Sequence, residues 1–295
     1  MANSIIKSSL PEYVANHPEL LIRAMTDAKT LRYIEKMYGV KGSTALNILN
    51  TSVVFGDGSE CGFNPQGADT LSQRVLEAKP ISVQKDWCQR SLYDTFANHE
   101  LAFKAGAEKL PFEEKFIDSN LSAISYELDK LIWQGDATLG IDGFLDLAAA
   151  SGSGVVTAGG TGVEATIADV YAKIPSDALR RGAVIFVSET DFKAYITAVN
   201  ATCCGNLPLL DAAAGEITYA GDSLVKIVAV PGLEGTNKVV GSAADNFVYG
   251  TDIEDAHASA DVWFSEDNRS FRFEVLFTAG VQFKFPSEFV IGTIA

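Results

Sequence analysis

The chain has 295 residues, 47% of them hydrophobic and 21% charged, the profile of a folded protein and not of a disordered one. Its formal net charge is −15. Sequence-independent nucleic-acid binding depends on Lys and Arg displacing counterions, so a broad DNA-binding face is disfavoured. No run approaches about 18 consecutive apolar residues and the N-terminus lacks an apolar h-region, so neither a membrane span nor a signal peptide is expected.

In chain order, residues 18–38 place Leu21, Met25, Leu31, Ile34 and Met37 near helical spacing with Gly39 as a stop, which predicts a helix. ALNILNTSVVF then alternates, GDGSECGFNPQG is dense in turn formers, and TLSQRVLEAKPISV resumes strand-like patterning. That predicts a two-stranded excursion with a polar tip near residues 56–68, its turns marked by Asp57-Gly58 and Asn64-Pro65.

From Pro111 the pattern changes. PFEEKFIDSNLSAISYELDKLIWQG has Pro111 at a helix-opening position, Glu113 and Glu114 against the N-terminal dipole, and Gly135 as a stop. Ile117, Leu121, Ile124, Leu128 and Leu131 or Ile132 recur at spacings of 4, 3, 4 and 3. Such a helix would run about 35 Å. The Gly-rich stretch 151–162 reads as a flexible loop. Beyond it, TIADVYAKIPSDALRR reads as helix, AVIFVSE as a buried strand, and Ser188 with Asp191 as a cap opening the helix TDFKAYITAV. SLVKIVAV and NKVVGSA add strands, so the middle block is an α/β module.

Near the C-terminus, Phe271, Phe273, Val275 and Phe277 share one strand face, and Val281, Phe283 and Phe285 continue it without a slip in parity. Unbroken, Ser270 to Phe285 would span roughly 53 Å. Ordinary strands are about 5–6 residues, so two strands turning at Ala279-Gly280 are the alternative.

Motifs for chemistry are missing. The glycines at 152–162 match neither the dinucleotide pattern, since Thr157 occupies the third glycine position, nor a P-loop. His17, His99 and His257 have no recognisable nucleophile setting. Asp57, Ser59 and Glu60 lack the order of a calcium loop. Cys61, Cys88, Cys203 and Cys204 form no C-x-x-C pair and read as idle thiols. No catalytic residue, cofactor or metal is expected.

The order of elements resembles the tailed-bacteriophage major capsid proteins of the Hong Kong ninety-seven fold. KLIWQGDATLGIDGFLDLA looks like the family's segment after its spine helix, with Gly135-Asp136 and Ile141-Asp142-Gly143-Phe144-Leu145. VIFVSETDFKAYITAV looks like the axial-domain strand and capped helix. VKIVAVPGLEGTNKVVGSAADNFVYGTDIEDA resembles the strands leading to the Tyr249-Gly250 step, and DVWFSEDNRSFRFEVLFTAGVQFKFPSEFVIGTIA the closing strands. LNILNTSVVFGDGSECG looks most like capsid proteins of crAss-like phages. The resemblance implies an α+β fold: an N-terminal arm at 1–40, an extended loop at 41–85, a peripheral domain with the spine helix at 86–139, an axial domain at 140–250 and peripheral return strands at 251–295.

The implied function is a major capsid protein, not an enzyme, that self-assembles into pentamers and hexamers of an icosahedral shell enclosing double-stranded DNA. Portal, scaffolding and decoration proteins would be its partners, the virion its location, and the host bacterial cytoplasm its place of assembly. An encapsulin-type nanocompartment shell is the alternative, with a metabolic α/β enzyme behind it. Two departures stand out. Some members carry a cleaved scaffolding segment before the arm, whereas here the arm starts at Met1, so scaffolding would be separate or dispensable. The type member also links subunits through a loop lysine, and no lysine lies between Gly42 and Ala78.

Three structural expectations follow. Leu46, Ile48, Val53, Val54 and Phe55 of the extended loop pack on a neighbouring subunit, because an isolated hairpin is marginal in water. Ile117, Leu121, Ile124, Leu128 and Leu131 form the core face of the spine helix and pack along the odd-numbered strip Phe271–Phe285. The Gly-rich stretch 152–162 acts as a hinge.

Overall fold

The structure is a computed structural model that describes residues 28–55, 67–88, 112–150, 154–201, 210–211, 216–219, 222–252 and 260–295. Three sheets and five helices organise these residues.

The strands of the first part are β1 (Glu35–Met37), β2 (Ser43–Val53), β3 (Gly67–Glu77) and β4 (Lys79–Cys88). Strands β2 and β3 pair only with each other, antiparallel from Ser43↔Glu77 to Val53↔Gly67, which is the excursion the alternation predicts. The helix predicted over 18–38 is not found in the part that is described. Lys29–Arg32 make a single 3-10 turn, and β1 follows, running parallel to β11 (Phe247–Gly250). Tertiary pairing overrides the weak helical spacing there, and Leu31 and Ile34 are buried in the main core instead.

Helix α1 (Phe112–Gln134) matches the predicted span, and Gly135 ends it with φ +68°. Helix α2 (Phe144–Ala149) follows. The long C-terminal strip is one strand, β13 (Ser270–Phe283), not two. Its length has a cause. Residues 270–279 pair with β4 on one side, 270–275 pair with β12 (Ala260–Ser265) on the other, and 280–283 continue onto β11. The strand stops at Phe283, two residues before the predicted end, ahead of Pro286. These five strands make the first large sheet, in the order β1-β11-β13-β12, with β4 also on β13.

The second sheet is seven-stranded and mixed. Its strands are β5 (Val156–Gly160), β6 (Ala183–Ser188), β7 (Leu210–Asp211), β8 (Glu216–Thr218), β9 (Val225–Val230), β10 (Lys238–Ala243) and β14 (Val290–Ile294), in the order β5-β14-β10-β6-β9-β8-β7. Helices α3 (Val163–Lys173), α4 (Ser176–Arg181) and α5 (Glu189–Ala201) accompany it. The single helix predicted over 166–181 divides because Ile174 precedes Pro175, which pushes it out of helical ψ to 126°. The predicted cap is present: the Asp191 amide donates to Ser188 Oγ at 3.0 Å.

Two expectations about domain limits meet the sheet topology. Of the predicted hinge at 152–162, residues 156–160 are strand β5, hydrogen-bonded in parallel to β14, and residues 152 and 153 lie outside the described residues. Sheet membership also crosses the boundaries at 85, 250 and 251–295. Strand β4 runs through residue 85 within the first sheet, β11 before residue 250 belongs to that sheet too, and β14 belongs to the second.

One core joins both large sheets. Trp133, Phe144, Phe186, Phe247 and Phe289 are fully buried, with ring centroids 5.0 Å apart for Trp133–Phe186, 5.3 Å for Phe186–Phe247 and 5.4 Å for Phe247–Phe289. Each such ring buries a large apolar area, and edge-to-face pairs add about 0.5–1.5 kcal/mol beyond it. The sheets are thereby fastened by packing in one shared core.

Candidate assembly surface

In the β2–β3 hairpin the pleat sends alternate side chains to opposite faces. On the even-numbered face, Leu46 and Leu76 are buried with Val40, Ala78 and Val248. The odd-numbered face is open: Leu49 is 59% exposed and lies directly across from Leu71 at 74%, with Val53 at 71% farther along. Asn47 accepts a hydrogen bond from Gln73 Nε2 at 2.8 Å between the same strands. Beyond β2, Val54 and Phe55 are exposed, Phe55 almost completely.

This arrangement corrects the predicted contact set. Leu46 and Ile48 are buried within their own subunit, so they are not available to a neighbour. Val53, Val54 and Phe55 are available. Leu49, Leu71 and Val75 are exposed on the same odd-numbered face, and the alternation of ALNILN places Leu49 opposite Leu46 and Ile48. Leu49 and Leu71 thus form a water-facing apolar pair on this face.

The hairpin base is firmly held. Val40 N donates to Thr251 O at 3.0 Å, Ala78 N to Gly42 O at 2.7 Å, and Gln282 Nε2 to Val75 O at 2.8 Å. The Arg74 guanidinium lies 4.4 Å from the centre of the Phe283 ring. Gly280 allows the backbones to touch: a Cβ there would lie 2.0 Å from Glu77 O. The far end of the hairpin therefore extends from a rigid footing.

Helix α1 supplies the second part of the site. Ile124, Leu128 and Ile132 enter the main core with Phe273, Val275, Phe277, Val281 and Phe283. Ile117 and Leu121 are buried but outside that cluster, while Leu131 is only half-buried and Ile132 takes the inner position. Toward its N-terminal end α1 crosses β4, where Trp87 and Phe116 meet edge-to-face at 4.9 Å and Lys85 Nζ donates to Asn120 Oδ1 at 2.8 Å.

The helix carries a buried carboxylate that sequence reasoning passed over. Asp129 Oδ1 accepts from Thr30 N and Oδ2 from Gly232 N, both at 2.9 Å, and Trp133 Nε1 donates to Thr30 Oγ1 at 2.7 Å. Asp129 thus ties the segment before β1 and the turn after β9 to one helix. Burial raises its pKa above the ordinary carboxylate range, despite the two amide donors and the positive charge of Lys29. Gly232 is required by this approach, since a Cβ would lie 2.3 Å from Asp129 O.

Among the described residues no group of three or more His, Cys, Asp or Glu could hold a metal ion, and no helix is long and apolar enough to cross a membrane. Cys88 is a free, exposed thiol. The three histidines, the other cysteines, the acidic residues 57–60 and the predicted tip turns lie outside the described residues.

No protein-family model matches the chain, and no curated protein is similar to it. Solved structures are. A chain of a satellite phage P4 procapsid that includes the size determination (Sid) protein superposes with TM-score 0.63 at 10% identity, covering 93% of this chain and 90% of that one. The chain has the Hong Kong ninety-seven capsid fold. The capsid of a native GTA particle gives TM-score 0.60 at 9% identity, covering 91% of both chains, and that of Myoviridae phage XM1 gives 0.58 at 12%, covering 92% of both. The hairpin, the long helix and the long strand are parts of this capsid-type α+β fold.

Proposed function

We propose that this chain is the major capsid subunit of a tailed bacteriophage, assembling as pentamers and hexamers into an icosahedral shell around double-stranded DNA. The observation that carries this reading is the whole-chain match to capsid subunits, with more than nine-tenths of both chains aligned for the GTA and XM1 capsids. The open face of the β2–β3 hairpin supports it, because an exposed leucine pair on a rigid footing suits contact with another copy.

In this reading residues 1–40 form the arm, the hairpin is the extended loop, α1 with the first large sheet is the peripheral domain, and the seven-stranded sheet with α3–α5 is the axial domain. Val53, Val54 and Phe55, with Leu49 and Leu71, meet the neighbouring subunit. The subunit's role is structural, and its location is the virion after assembly in the host cytoplasm. Portal, scaffolding and decoration proteins complete the particle, and the hairpin sequence points to the crAss-like group. A net charge of −15 suits a shell that encloses DNA without gripping it.

Sedimentation velocity of the purified full chain tests the proposal. Megadalton particles are expected, and a stable monomer that turns over a metabolite would refute it. Particles holding enzyme cargo instead of DNA, recovered from infected or native cells, would move the assignment to a nanocompartment shell.

A further inference from the structure

Strand β5 forms one edge of the seven-stranded sheet and has a composition that gives an edge no protection. Val156-Thr157-Ala158-Gly159-Gly160 contains no charge and no proline, the devices with which soluble proteins discourage unwanted strand pairing. Its inward side is occupied: Val156 N donates to Phe289 O and Ala295 N to Gly160 O in the parallel ladder with β14. Amide groups alternate along a strand, so residues 157 and 159 turn theirs outward.

Those outward groups have side-chain partners from α3. Lys173 Nζ donates to Thr157 O at 3.0 Å, and Gly159 N donates to Asp169 Oδ2 at 2.9 Å. The same carboxylate oxygen accepts from Lys173 Nζ at 2.9 Å, one turn away on the helix. The four groups close a ring. In a parallel ladder, one residue of an added strand would donate its N–H to the Thr157 carbonyl and accept the Gly159 N–H through its own carbonyl. Lys173 and Asp169 supply that donor and that acceptor. Gly160 makes the reach possible, because α3 passes so close that a Cβ there would lie 2.7 Å from the Ala165 carbonyl carbon.

We propose that the Asp169–Lys173 pair is an edge guard, standing in for one residue of a neighbouring strand and keeping a second copy of this chain from adding its own β5 to the sheet. The pair's position supports a role beyond an ordinary helical ion pair. Both side chains are more than half covered, and the Gly159 amide, followed by Lys173, holds the Asp169 carboxyl below its usual pKa. An exposed i,i+4 pair with no strand beneath it would lack the bonds to Gly159 N and Thr157 O. The inference does not depend on the capsid reading, since it concerns an association that would compete with any ordered assembly.

The test is Asp169→Ala with Lys173→Ala in the full chain, alanine being chosen to preserve α3. Far-UV circular dichroism should stay unchanged while the Gly159 amide exchanges at least about tenfold faster than in the wild type. The double variant should form dimers joined through β5 at concentrations where the wild type forms none, and sedimentation velocity separates these from closed particles. Adding Thr157→Pro should abolish them, since that proline removes only an outward N–H. A folded double variant with no such association overturns the proposal, as does association that Thr157→Pro leaves intact. Should the double variant not fold, the wild type alone decides: rapid exchange at Gly159 overturns the guard, and slow exchange that Lys173→Met accelerates supports it.

Discussion

Gly280 of β13 lies against Glu77 at the end of β3 so closely that a Cβ would fall 2.0 Å from the Glu77 carbonyl oxygen and 2.9 Å from the Ala78 Cα. Both neighbours are backbone, so no rotamer change can make room. Gly280→Ala is therefore expected to push the hairpin base off the sheet at a cost of about 1–3 kcal/mol, as overpacking does in closed cores. A lowered urea midpoint with unchanged slope checks this, and hydrogen exchange should show the loss concentrated at Ala78 and Val40. A variant as stable as the wild type would show that the hairpin footing is softer than described.

The hairpin's open face predicts a separation between folding and assembly. Val53, Val54 and Phe55 are 71%, 52% and 96% exposed, so replacing all three with serine removes little intramolecular burial. Each change should alter unfolding free energy by less than about 0.5 kcal/mol, the usual range for surface sites. Assembly, read by sedimentation, should fall sharply. Leu46→Ser should do the reverse, lowering stability first, because Leu46 is buried with Leu76 and Val248.

Leu128 shares one cluster with Phe273, Val275 and Phe277 across the helix–sheet contact. Leu128→Ala should cost about 2–5 kcal/mol, the transfer term plus the residual cavity. Leu131→Ala should cost less, since Leu131 is half-buried and Ile132 occupies the inward position. Equilibrium urea unfolding of the two variants checks the order, and equal losses would contradict it.

Asp129 predicts a pH dependence with a definite sign. Burial raises its pKa in the folded chain above the unfolded value. Between those two values the folded state binds more protons, so this group's contribution to stability falls as pH rises and is most favourable below the window. Asp129→Asn cannot titrate. The stability of the wild type relative to Asp129→Asn should therefore decline as pH rises from the ordinary carboxylate range, then level off. A relative stability that climbs with pH would contradict the burial argument.

Much of this was legible in the sequence. The 4-3-4-3 apolar recurrence located α1 to within a residue at each end, while constant parity from Phe271 to Phe285 left one strand or two open, and one strand ending at Phe283 is found. Alternation located the hairpin but not which face would be covered. That depended on Val40 and Val248, distant in sequence, closing over Leu46. The Gly-rich stretch misled because glycine lowers strand propensity, whereas here the absence of side chains lets α3 approach β5 closely. Asp129 was passed over for a related reason. A lone carboxylate beside Leu128 reads as a solvated edge until Thr30 and Gly232 bring their amides to it.

Electron microscopy of the purified chain tests most directly whether this subunit closes a shell. Class averages should show closed particles with five-fold vertices separated by six-fold capsomers, each subunit's hairpin lying over its neighbour. A uniform population of monomers or small open oligomers, under conditions where the chain is fully folded, would contradict the account.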